Sequence, residues 1–113
     1  MIKRRDKMKK WENLKERIHG VKINYLQTDI DFFDYAKEHN ISIIKQDELV
    51  TPRGNGVGYY YCGEGKHYYD FPLGEDSWLL ILAEKQFTAK GAQTLLDTVY
   101  GEIIGDVREL LRT

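Results

Sequence analysis

Trp78-Leu79-Leu80-Ile81-Leu82-Ala83 is the stretch that decides the architecture. Both alternating sets of side chains are apolar, and such a strand has to be covered above and below, which places it inside a sheet. Glu84-Lys85-Gln86 ends it, Phe87 follows, and Thr88 offers a hydroxyl to an otherwise unpaired amide of a first helical turn. From there Leu95, Leu96, Val99, Ile103, Val107, Leu110 and Leu111 recur every three or four residues, one apolar stripe on a long helix. Gly91, Gly101 and Gly105 each cost that helix about 1 kcal/mol relative to alanine, so close packing should compensate for them. Gly101 and Gly105 share a helical face, which serves either intramolecular packing or a homodimer seam. Glu102, Asp106, Arg108 and Glu109 exclude a membrane-spanning helix there.

Working back toward the N-terminus, Lys66-His67-Tyr68-Tyr69-Asp70-Phe71 and Tyr59-Tyr60-Tyr61-Cys62 flank Gly63-Glu64-Gly65 and read as a hairpin, with Pro72-Leu73-Gly74 turning the chain into the central strand. Residues 46–58, with Gly54, Gly56 and Gly58, read as one long irregular region, its turn at Asn55-Gly56. Residues 41–45 form a strand. Ahead of it lies a short helix carrying Phe32, Phe33 and Ala36, capped by Thr28, with Asp29 and Asp31 in its first turn and an end near Asn40. Residues 21–25 alternate as a half-buried strand. Trp11, Leu14, Ile18 and Val21 sit at helical spacing and predict a first amphipathic helix that ends at Gly20 and packs on the terminal one. The expected fold is therefore α+β: a mostly antiparallel sheet of about five strands, with N- and C-terminal helices on one face. Trp11, Ile18, Gly101 and Gly105 would form the homodimer interface.

At 113 residues, with 31% charged and 42% hydrophobic side chains, the chain is expected to make one domain over residues 1–113. No apolar stretch of spanning length and no secretory signal is visible, and the single cysteine, Cys62, excludes an internal disulfide framework and a multi-cysteine zinc site. A cytoplasmic setting is expected. The net charge of −1 conceals an asymmetry: residues 1–10 carry +5 and the rest of the chain −6. A basic arm can contact phosphates, but an acidic body argues against a nucleic-acid-binding face.

Five of the eight tyrosines lie in the hairpin at 59–69. Neighbours on a strand point to opposite faces, so one set can enter the core while the other meets a ligand or partner. Tyr59, Tyr61, His67 and Tyr69, with Arg53 on the preceding loop, are the candidate binding residues. The spaced glycines at 54, 56 and 58 precede a strand rather than a helix, unlike a phosphate-cradling loop. Asp47, Glu64 and Lys66 follow the order used by one class of magnesium-dependent nucleases, but Glu64 sits at a turn tip. Cys62, His67 and Asp70 contain the residue types of a thiolate–imidazole–carboxylate set, without a helix N-terminus to activate the thiol. His19 and His39 fall near helix ends, where a cation complements the dipole. No catalytic residue, metal site or cofactor is assigned.

Residues 78–111 resemble the end of a GAF-type or related small sensory domain: Leu79-Leu80-Ile81-Leu82, Phe87, the hydroxyl cap Thr88, and Leu95-Leu96 on a terminal helix. N-terminal regions of some bacterial transcription regulators are similar. The resemblance implies a sheet with a pocket on one face and terminal helices that often dimerise. The cyclic-nucleotide motif and chromophore cysteine of better-known members are missing, so no ligand residue carries over. The expected function is a non-enzymatic sensory or regulatory domain binding a small molecule or protein partner. A stand-alone interaction protein, such as a mobile-element inhibitor with an acidic, nucleic-acid-mimicking surface, and a metal-dependent nuclease are the other classes.

Overall fold

The computed structural model describes residues 11–30, 32–74 and 76–112, and side chains as far as Ile104. The basic arm and Asp31 lie outside the described residues, as do the environment of Gly105 and the side chains that end the apolar stripe. In chain order the elements are β1 (Glu12–Asn13), β2 (Ile23–Thr28), α1 (Phe32–Glu38), β3 (Ser42–Thr51), β4 (Gly54–Gly63), β5 (Lys66–Gly74), β6 (Ser77–Ala83) and α2 (Ala89–Arg112). The strands form one antiparallel sheet in the order β1-β2-β6-β5-β4-β3.

β6 lies between β2 and β5, and its two apolar faces are each covered. Leu79, Ile81 and Ala83 join Tyr69, Phe71 and the α2 residues Ala92, Leu95, Leu96 and Val99 in one cluster. Leu80, on the other face, joins Leu26, Tyr61, Tyr68 and the α1 residues Phe32 and Ala36 in a second. Full burial of a leucine-sized side chain contributes about 1.5–3 kcal/mol, so β6 ties the two layers together from both of its faces. The start of α2 is fixed by Thr88, whose Oγ1 accepts from the Gly91 amide at 3.0 Å while its carbonyl accepts from Ala92 at 2.8 Å. Among the described residues no helix is long and apolar enough to cross a membrane.

The expected five-strand sheet with two helices on one face requires four corrections. First, the N-terminal helix is replaced by a hairpin arm. His19 and Gly20 have φ of 52° and 76°, a two-residue turn across which Ile18 and Val21 exchange backbone hydrogen bonds of 3.2 and 2.9 Å. A separation of three fits a helical face, and it also fits the two flanks of such a turn. Upstream, Leu14 donates its amide to Ile23 at 3.0 Å, and Glu12 and Asn13 pair with Tyr25 and Asn24, adding a sixth strand.

Second, with the N-terminal helix gone, the helix that shares the sheet with α2 is α1, and it lies on the opposite face, because α1 packs on Leu80 and α2 on Leu79 and Ile81, neighbours that alternate across β6. Third, residues 46–58 are not an irregular loop. β3 and β4 form a ten-residue-per-strand hairpin whose turn is at Pro52-Arg53, three residues before Asn55-Gly56. Proline presets φ at the first turn position, and the Thr51 hydroxyl both donates to the Gly54 carbonyl at 2.7 Å and accepts from the Arg53 amide at 3.3 Å. Gly58 is strand, not linker: a Cβ there would lie 2.6 Å from Leu49 Cδ1 and 2.7 Å from Phe71 Cδ1. Fourth, the Thr28 hydroxyl, expected to cap α1, accepts instead from Ile30 at 3.1 Å, and the helix begins at Phe32.

The outer edge of β3 is closed at two points. Gln93 of α2 accepts from the Val50 amide at 2.9 Å and donates to its carbonyl at 3.1 Å, as a neighbouring strand would. Farther along, the register slips between Ile43 and Lys45, bulging the strand at Ile44.

Candidate functional site

α1 is seven residues long and covers only part of its face of the sheet. Its position is set by Phe32, which meets Tyr61 edge-on at 4.9 Å between ring centroids and lies 5.1 Å from Tyr68 and 5.3 Å from Tyr35. The helix ends sharply. Asn40 takes φ of 57°, and the Ile41 amide reaches back to the Ala36 carbonyl at 2.9 Å, which sends the chain into β3.

Beside α1 the sheet is left open over a cavity of about 410 Å³. Its floor follows strand register. Gln46, Tyr59 and Asp70 stand opposite one another on β3, β4 and β5, and the row continues to Leu80 and Leu26 under α1. Pro72 and Trp78 pair in the next row toward the β5–β6 turn, with Val57 beside them and Tyr61 and Ile43 on the helix side. Phe33, next in sequence to the buried Phe32, forms the rim and is 42% exposed. Asp70 is 4% exposed and is the charged residue among those lining the cavity.

Of the five residues expected to bind, the structure brings Tyr59 and Tyr61 together in this groove, their ring centroids 6.5 Å apart and tilted by 54°. Tyr69 and His67 belong to the opposite face. The Tyr69 hydroxyl accepts from the Phe87 amide at 2.6 Å and donates to the Phe87 carbonyl at 3.4 Å, anchoring the approach to α2. Burial pushes its pKa up to about 12. His67 Nδ1 is hydrogen-bonded to the Tyr60 hydroxyl at 2.6 Å. Burial, then the neighbouring Cys62 thiol, raises the Tyr60 pKa above that of an ordinary phenol. Arg53, at the β3–β4 turn, donates to the Gly74 carbonyl at 3.1 Å.

The other expected constellations do not assemble. Cys62 and His67 are cross-strand partners, but Asp70 points to the opposite face from His67 because it is three positions further along β5, an odd offset. Asp47 pairs with Gly58, five residues along β4 from Gly63, so the strand end that leads to Glu64 lies about 17 Å away along the strand. Among the described residues no three His, Cys, Asp or Glu side chains are grouped to hold a metal. Of the proposed dimer residues, Ile18 is buried in the α2-side core, and Trp11 is half-buried against the α1-side cluster. Gly101 is exposed with open space around it. These three do not share a surface. Comparison with protein-family models, with curated proteins and with solved structures returned no match.

Trp78, Asp70, Gln46, Val57, Pro72, Ile43 and Phe33 complete the groove and were not among the expected binding residues. One signal for them was present in the sequence: Asp70 is an acid inside an aromatic strand, where every neighbour is a core former. The rest depended on register across four strands.

Proposed function

We propose that this protein is a non-enzymatic sensory or regulatory domain, of the GAF-like kind its terminal strand and helix resemble, and that its ligand occupies the groove beside α1. The observation that carries this reading is the unequal covering of the sheet: α1 stops short, and the part beside it is concave and lined by Tyr59, Tyr61, Trp78 and Phe33 around a few polar groups. Small-molecule sites have this composition and a volume in this range. The hydroxyls of the two tyrosines, the Gln46 amide and the Asp70 carboxylate orient a ligand, while the rings and Val57, Pro72 and Ile43 supply apolar contact.

A fragment screen followed by amide and indole NMR tests the reading. Ligands should shift the Trp78 indole and the amides of Tyr59, Asp70 and Phe33 together, leaving those of α2 in place. A screen whose hits never perturb this group would sink the proposal.

A further inference from the structure

We infer that the groove takes an uncharged ring compound bearing a hydrogen-bond acceptor, a carbonyl oxygen or a ring nitrogen. The inference rests on the groove being a ligand site and adds the class of what enters it. The first observation is the charge a ligand meets. Of the residues lining the groove, Tyr61 and Asp70 are enclosed, 1% and 4% exposed. The others all keep some exposure, and none of them carries a charge. A charged group that leaves water for an apolar site costs far more than a neutral polar one unless an opposite charge meets it. Among the described residues the groove presents no lysine, arginine or histidine to a carboxylate or phosphate. It presents no spare carboxylate to an ammonium group either, since Asp70 is buried and already interacts within the protein.

The second observation is the set of polar groups within reach. The Gln46 amide, the Tyr59 hydroxyl and the Trp78 indole N–H stand among the accessible side chains, and none is hydrogen-bonded to a described residue. An amide and a hydroxyl both donate and accept, but an indole only donates. A ligand that covers the indole without giving it an acceptor leaves a desolvated donor unpaired, so the fitting ligand supplies one. The third is the shape of the walls. Phe33, Tyr59 and Trp78 come from α1, β4 and β6, with Ile43, Val57 and Pro72 completing the apolar surface. A flat ring among aromatic neighbours gains stabilisation beyond the area it buries, which a flexible chain does not. A cavity of about 410 Å³ sits at the small end of the ligand-site range and suits a compact molecule.

The test uses the full chain and three probes built on one ring: benzamide, benzoate and benzylammonium, which are neutral, negative and positive. Benzamide is expected to shift the Phe33, Tyr59 and Trp78 NMR signals at a concentration about tenfold lower than either ion. Trp78→Phe keeps a ring and removes the donor; with Phe33 and Tyr59 as reporters, it should weaken benzamide about fivefold. Gln46→Leu, at an exposed position of β3, should weaken it by a similar factor although it adds apolar surface. The melting temperature and the Phe32 and Leu80 NMR signals report that both variants keep the fold. Benzoate or benzylammonium binding as tightly as benzamide overturns the inference that the ligand is uncharged. If benzamide binds equally well to both variants, the need for an acceptor is overturned. If no probe moves these signals up to about 100 mM, the inference fails; the ligand site survives where the fragment screen finds other molecules in the groove and fails where that screen is also silent.

Discussion

On one face of the sheet the 24 residues of α2 supply Ala92, Leu95, Leu96 and Val99, all essentially inaccessible, against Leu79, Ile81, Tyr69 and Phe71. On the other, the seven residues of α1 supply Phe32 and Ala36 and leave Tyr59, Trp78 and Phe33 facing a cavity. Both faces are built from the same strands and both are rich in aromatic side chains. The difference is the length of the covering helix. The long one converts aromatic surface into core, where hydroxyls are used as fasteners; the short one leaves it as a lined groove with a buried carboxylate. One face thus provides cohesion, and the other has surface to offer a ligand.

The contrast can be broken experimentally, beginning with the core. Leu95→Ala empties a fully buried site under α2 and should cost about 2–5 kcal/mol in chemical denaturation; a loss below 1 kcal/mol would mean that α2 is not the cohesive layer. Next comes Tyr69→Phe, which leaves the Phe87 amide without its acceptor and should cost about 1–3 kcal/mol.

The same tyrosine gives the face a pH dependence. Its pKa is raised to about 12 from an ordinary value of about 10. Its contribution is fully present below about pH 10 and is lost as pH rises through about 12, because the unfolded chain gives up the proton that the folded chain keeps. Burial also raises Tyr60 and Tyr68, with the same sign. Tyrosinate absorbance followed alongside circular dichroism should show these phenols ionising with unfolding, and Tyr69→Phe should make the alkaline fall shallower. A smaller effect is expected at the head of α2, where Thr88→Ala removes the acceptor of the Gly91 amide and should cost about 1 kcal/mol. The smallest is on the open face: Phe33→Ala at the groove rim should change stability by no more than about 0.5 kcal/mol while weakening any groove ligand. A large loss there would show that the groove is part of the core after all.

The elements best legible in the sequence were those whose local signals agreed with their tertiary setting. The doubly apolar run at 78–83, the hydroxyl at Thr88 and the stripe through Leu95 and Val99 each point to one structure. The 59–71 hairpin does so through Glu64-Gly65, whose φ values of 55° and 75° make a two-residue turn. Where signals were degenerate, the reading went astray. Ile18 and Val21 satisfy a helical spacing, and His19-Gly20 between them satisfies a hairpin turn; sheet pairing decided for the turn. Gly54, Gly56 and Gly58 look like a loop, yet at Gly58 the missing side chain is filled by Leu49 and Phe71 from adjacent strands, contacts that exist only once the sheet does.

The candidate site was legible to the extent that alternation separates Tyr59 and Tyr61 from Tyr60. It was not legible where membership depends on register. Whether Trp78 shares a groove with Gln46 is set by the turn at Pro52 and by the β5–β6 connection, neither of which leaves a periodic mark.

The Gln93 side chain holding Val50 by both its amide and its carbonyl has a consequence for how this protein behaves in a crowd. A primary amide is chemically a short piece of main chain, so α2 in effect ends a growing polymer by supplying a single terminal unit. With the strand bent at Ile44, little straight template is left for an incoming chain, although Ile43, Ile44 and Val50 are all exposed apolar residues on that strand. The same helix that seals the core therefore also acts as a chain terminator for the sheet, one uncharged side chain occupying the place where a further strand would pair.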